Sequence, residues 1–248
     1  MMASPFEQFQ INALLTLGGG NFNISFTNSS LFMFIAVSFM LLFFYSGIYR
    51  STLVPNRWQS AVEMGYLFIL GLIGEQIGER GYKYLPIIFT TFMFILSCNL
   101  LGMVPYSFTV TSHIIITLSL ALIIFLGIQV IAGMEHGVHF FSFFLPPGAP
   151  LALSPFLVVI EIISYVFRVI SLAVRLFANM VSGHVLVKII AGFGWTMLTS
   201  GPVVALFAGF PLIIVFALTG LELSIAFLQA YVFTLLVCIY LNDAIHLH

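Results

Sequence analysis

Residues 31–49 read LFMFIAVSFMLLFFYSGIY and carry no charge. A helix of that length, at about 1.5 Å per residue, crosses a hydrocarbon layer about 30 Å thick. This constrains the fold strongly, because inside lipid only a helix or a closed barrel satisfies its own backbone. The rest of the chain is built alike: 61% of its 248 residues are apolar and 6% are charged, against roughly 45–50% and about 25% in soluble domains. The sequence therefore reads as an all-α integral membrane protein, with residues 1–248 forming a single membrane domain.

Arg50 and Arg57 follow the first span at once, which places that end in the positive-inside compartment. Residues 64–74 are apolar but too short to cross, and Glu63, Glu75, Glu79 and Arg80 bracket them. The spacing predicts a non-spanning helix over 59–80, lying in the interface or docked on the bundle. Two further spans are predicted at 85–104 and 110–134. Pro105 ends the first, and the Ser and Thr residues after it can cap the second. These elements make up a peripheral region over 31–134, preceded by an N-terminal segment over 1–30. A loop with PPGAP follows, and Ser154-Pro155 reads as an N-cap before a proline at the first helical position. Long helical runs then occupy 154–190 and 202–245, with Pro211 a candidate kink. About five membrane-crossing helices and one non-spanning helix result.

Several classes of function are excluded. Seven basic and eight acidic residues leave no cationic field for nucleic acid. No glycine-rich phosphate loop is present, so nucleotide chemistry is not expected on this chain. Glu135, His136 and His139 lack a matching metal-ligating partner, and neither a metal nor any other cofactor is expected. Cys98 and Cys238 lie in apolar segments and read as buried thiols. The two Asn-x-Ser triplets, at Asn23 and Asn28, are short enough to arise by chance.

A single helix over 154–190 would be roughly 55 Å long, almost twice the hydrocarbon thickness. The last run has the same excess, so the two form a strongly tilted antiparallel hairpin over 154–245. Its polar residues are regularly placed. Glu161, Arg168 and Arg175 fall seven apart on one face, continued by Asn179 and Ser182. In the last run Glu222, Gln229 and Asp243 share a face. Antiparallel pairing brings Glu161 to the depth of Asp243, Arg175 to that of Gln229, and His184 to that of Glu222. His184 lies half a turn from Arg175, so its match with Glu222 is expected in depth and not in face.

Each charge near the bilayer centre costs at least about 2.5–3.5 kcal/mol, and such groups normally mark ion or proton pathways. A guanidinium, moreover, cannot shed its charge. Two wet half-paths separated by a permanent positive charge would not conduct protons straight through. A carboxylate moving on a partner protein could carry the proton from one to the other, losing it at Arg175. Counting crossings puts Glu161, Asp243 and the C-terminus inside, His184 and Glu222 toward the outside. Lys188, near the outer end, runs against the charge trend and can snorkel.

The segments SPFEQF, NLLGMVPYSF, SLAVRLFANMVSGH and LELSIAFLQAYVFTLLVCIYLNDAIHLH resemble the subunit a family of F-type ATP synthases, in its mitochondrial and fungal branch. The resemblance implies a non-catalytic stator subunit in the mitochondrial inner membrane. Its implied partners are the ring of c subunits, the peripheral stalk and other Fo membrane subunits. Arg175 matches the family's essential arginine, and Asn179 and Gln229 its polar neighbours. His184 and Glu222 match the intermembrane-space half-channel, Glu161 and Asp243 the matrix one. Bacterial relatives exchange the acid and the histidine between the positions of His184 and Glu222, which favours the mitochondrial branch. Loss of residues 1–3 is a further expectation from the resemblance. The alternative is a stand-alone ion channel or secondary transporter, which usually carries an inverted repeat; none is visible here. An intramembrane hydrolase lacks its motifs, and a structural anchor would not need Arg175.

Overall fold

The computed structural model describes residues 6–19, 22–49, 51–104, 107–137, 154–201 and 206–245. Among the described residues six helices carry the fold: α1 Asn28–Ile48, α2 Arg57–Gln76, α3 Leu85–Gly102, α4 Ile114–His136, α5 Ser154–Thr199 and α6 Gly209–Ile245. Among the described residues five apolar helical stretches are long enough to cross a membrane, the third helix counted with the 3-10 turn Glu79–Tyr84 that leads into it. The protein is a nearly all-helical, multi-pass membrane protein. Arg50, Pro105, His139, the PPGAP loop and His248 lie outside the described residues.

One element departs from the all-helical expectation. Strands β1 Ala13–Gly19 and β2 Phe22–Thr27 pair antiparallel, with a register irregularity between Ala13 and Leu15. Alternating apolar and polar residues in NISFT fit a strand, a signal too short to raise the expectation from sequence. Asn28 ties the hairpin to α1. Its side-chain carbonyl accepts from the Asn12 backbone at 3.2 Å, and its amide donates to the Gln10 carbonyl at 3.0 Å.

The expected non-spanning helix is α2. Asn56 caps its start, with the side-chain oxygen accepting from the Arg57 backbone, and Ile69, Leu72 and Ile73 are its buried stripe. Gly78 ends it at φ +80°, letting its backbone N–H reach back to the Ile73 carbonyl, a reversal that favours glycine.

The last two helices differ in their limits from the sequence reading. α5 runs to Thr199, nine residues past the expected end at 190. The glycines of AGFGW look like a terminus, but glycine is common within membrane helices; Gly201 at φ +136° marks the actual exit. At 46 residues α5 is roughly 69 Å long, and α6 with 37 is about 56 Å. Both exceed a bilayer of about 30 Å and must run obliquely or project from it. Pro211 does not kink α6. It occupies the first turn, where a missing N–H breaks no helical hydrogen bond.

The helices sort into two compact units. The first comprises residues 1–42, 94–113 and 176–230, and the second 43–93, 114–175 and 231–248. In the first, Ile95, Leu176, Met180, Ala226 and Ala230 form a core with almost no exposure. In the second, Ile69, Ile73, Ile88, Phe92, Ala173 and Phe233 do the same. Outside these cores the apolar residues turn outward: Phe156, Val159, Ile163, Phe167 and Ile170 of α5 are all exposed, as a lipid-facing surface requires.

Candidate functional site

In the first unit, α5 and α6 pair antiparallel through two polar contacts. Asn179 Nδ2 donates to Gln229 Oε1 at 2.9 Å, and His184 Nδ1 lies 3.4 Å from Glu222 Oε1. The second contact corrects the expectation that His184 and Glu222 match only in depth. The reason is Gly183: a Cβ there would come within 2.7 Å of Glu222 Oε1 and 3.2 Å of its Cγ. The glutamate stem crosses the bare glycine backbone and reaches the flank of α5, where the imidazole sits. Counting 100° per residue on one isolated helix does not foresee a partner side chain that long.

Gln229 and Glu222 are both buried, at 1% and 4% exposure, beside Asn99 at 0%. Asn99 donates to the Ala226 carbonyl at 3.2 Å, which fastens α3 to α6. Glu222 Oε1 lies close to His184 but has no hydrogen bond of good geometry, and Asn99 Oδ1 and Gln229 Nε2 are likewise left unpaired. Buried polar atoms without partners are uncommon, and they are normally met by water. A half-open cavity of about 720 Å³ reaches this pair; Glu7, Gln10, Thr109, Lys188 and Glu222 are among its walls. Lys188 is thus part of the cavity wall. Thr109 was expected only as a cap, and it lies instead 3.1 Å from His184 Nε2.

The second unit holds the other polar set. Arg168 lies 3.9 Å from Glu161 within α5 and 3.9 Å from Asp243 of α6. The pairing with Glu161 follows from their spacing. The pairing with Asp243 reaches across to the other helix and joins both carboxylates to one guanidinium. Each of the three side chains is about one-third exposed, and Tyr165 nearby accepts from Gln129 at 2.6 Å.

Arg175 belongs to neither set. Its side chain is exposed, and it joins no ion pair among the described residues. Ser182 is also exposed and donates to the Asn179 carbonyl of its own helix at 3.2 Å.

Among the described residues no three His, Cys, Asp or Glu side chains gather as metal ligands. His136 donates from Nε2 to the Ile245 carbonyl at 3.1 Å. Glu135 meets Lys83 at 3.8 Å and accepts from the Tyr84 hydroxyl at 3.2 Å. Cys98 and Cys238 are both buried free thiols. At the end of the α3–α4 connection, His113 stacks on Phe108 at 5.1 Å between centroids, and burial pulls its pKa below the usual histidine value.

The family model described as ATP synthase A chain matches residues 30–242. Among curated proteins, ATP synthase subunit a of Marchantia polymorpha is 56% identical, with the whole of both chains covered. That of Brassica napus is also 56% identical, over 99% of this chain and 97% of the relative. Subunit a of Chondrus crispus is 53% identical, over 100% of this chain and 98% of its own. These relatives come from plants and an alga, and they lend the fungal branch no support. With the match extending from the start of α1 nearly to the end of α6, this chain belongs to the ATP synthase A chain family.

Proposed function

We propose that the chain is the proton-conducting stator subunit of an F-type ATP synthase in the mitochondrial inner membrane. It lies against a ring of c subunits, with peripheral-stalk and other Fo membrane subunits around it. His184 and Glu222 line a half-channel from the intermembrane space, and Glu161 and Asp243 line one to the matrix, where the C-terminus also lies. Asn179, Gln229, Ser182 and Arg168 support these paths, and Arg175 faces the ring. The two long helices form an oblique hairpin within a single membrane domain.

One observation carries the reading. α5 holds two polar sets, each closed upon its own α6 partner, and the arginine between them in chain order is exposed and paired with neither. A stable guanidinium on an apolar exterior is costly unless a partner's charge meets it. A mobile carboxylate on the ring is such a partner, and it would release its proton on arrival. The test is purification of the assembled complex followed by crosslinking from a cysteine at position 175. Crosslinks to a small subunit bearing one mid-membrane acid support the proposal. Steady proton conductance by this chain alone in liposomes would replace it with a channel.

Two expected results follow from the geometry. Arg168→Lys retains most proton-driven ATP synthesis, because an ammonium still offers charge to Glu161 and Asp243 at this partly exposed position. A collapse of synthesis in the assembled variant would show that bidentate geometry is required there. Gly183→Ala, in contrast, drives a methyl into the Glu222 carboxylate. Proton flow is expected to fall by up to about a hundredfold, since misplacing a transfer group by an ångström can cost that much. Normal flux in that variant would mean Glu222 needs no fixed position.

A further inference from the structure

Thr109 is nearly fully buried, at 4% exposure, yet it follows the end of α3 in a connection with no catalytic signal in its sequence. Three observations fix its side chain. Its hydroxyl oxygen lies 3.1 Å from His184 Nε2. Gly102 leaves the space it occupies, since a Cβ there would come within 2.8 Å of Thr109 Cγ2. Its backbone carbonyl accepts from the Ser112 hydroxyl at 2.6 Å, which holds the turn. The same imidazole points its other nitrogen, Nδ1, at Glu222.

We infer that Thr109 is a positioning residue for proton transfer between His184 and Glu222, holding the ring by Nε2 so that Nδ1 always faces the carboxylate. The inference rests on the reading of His184 and Glu222 as a proton pair. In an imidazole, the hydrogen bond made by one nitrogen decides the protonation of the other. With Thr109 Oγ1 accepting from Nε2–H, the protonated ring offers Nδ1–H to the Glu222 carboxylate. One proton passes from Nδ1 to Glu222 Oε1. The N–H bond breaks, the O–H bond forms, and a +1/−1 pair becomes two neutral groups. The ring keeps its Nε2–H on Thr109, and its Nδ1 lone pair is ready for the next proton from the cavity. The threonine hydroxyl hydrogen is free to point into the cavity that Thr109 lines. Among the described residues the titratable groups on that cavity are Glu222 from α6, Lys188 and His184 from α5, and Glu7 from the N-terminal turn.

The experiment uses the intact ATP synthase in vesicles, with synthesis measured against pH on the side of the His184 cavity. Thr109→Val keeps the shape and removes the acceptor. The protonated ring must carry Nε2–H, whereas the neutral ring can do without it, so the loss falls harder on the protonated form. The midpoint of the profile should move toward acid by about one pH unit, a tenfold loss of occupancy, as expected for one hydrogen bond to a charged group. Thr109→Ser should restore the wild-type midpoint. A Val profile that superimposes on wild type, or a Ser profile displaced as far as Val, overturns the inference. If the Val complex does not assemble, Thr109→Ala is read against Thr109→Ser in the same way. Glu222→Gln is the control. Wild-type flux there removes the proton pair itself, whereas an impaired Glu222→Gln beside an unshifted Val removes only the role of Thr109.

Discussion

With Arg175→Ala, proton-driven ATP synthesis falls to background while passive proton leak through the assembled complex rises. Both changes have one cause. A guanidinium next to a carboxylate favours the ionised form by about ten- to a thousandfold, so without it an arriving ring acid keeps its proton and does not unload. In the proposed function the same positive charge separates the two half-paths, and removing it lowers the barrier to protons that bypass the ring. Arg175→Lys is expected to fail as well. An ammonium is a compact point charge that can lose its proton when buried, whereas a guanidinium stays charged and presents a planar fork. Synthesis and leak, measured side by side in both variants, decide the matter. Near-normal synthesis with lysine would mean that bare positive charge suffices, and the counter-ion geometry would be wrong.

With Glu222→Gln, the complex assembles and proton flow drops by about a hundredfold or more, in the range that a positioned acid–base group contributes. The amide has nearly the same shape, so it can lie over Gly183 as the carboxyl does. It cannot take up and release a proton at the end of the His184 cavity. Blue-native gels report assembly, and acid-pulse ATP synthesis reports flux. An intact complex with wild-type flux would take Glu222 out of the pathway.

The heptad of Glu161, Arg168 and Arg175 was legible because charges in an apolar helix stand out and seven residues nearly complete two turns. Antiparallel pairing of the last two helices was legible from depth, and Asn179–Gln229 and His184–Glu222 follow that order. What could not be read is what depends on a partner's side chain. The arginine at 168 reaches across to Asp243, Glu222 reaches over a glycine, and Thr109 leaves its capping role for an imidazole far along the chain. Long or freely turning polar groups choose partners after the helices have met. Helix ends were misjudged for a different reason: glycine and proline are strong stops in water but weak ones in lipid, so AGFGW did not end α5.

The small hairpin of β1 and β2 serves as a water gauge. A two-stranded sheet has two open edges, and hydrocarbon offers nothing to the N–H and C=O groups along them. Strands 13–19 and 22–27 therefore fit among headgroups or in water, which sets one boundary of the bilayer close to Asn28, where α1 begins. From there the 21 residues of α1 measure about one hydrocarbon thickness. Glu7, Gln10 and Asn12, which precede the hairpin and are among the walls of the His184 cavity, then stand near that boundary. In the proposed half-channel these polar side chains share the cavity with the imidazole, so their chemistry bears on the supply of protons from which the channel draws.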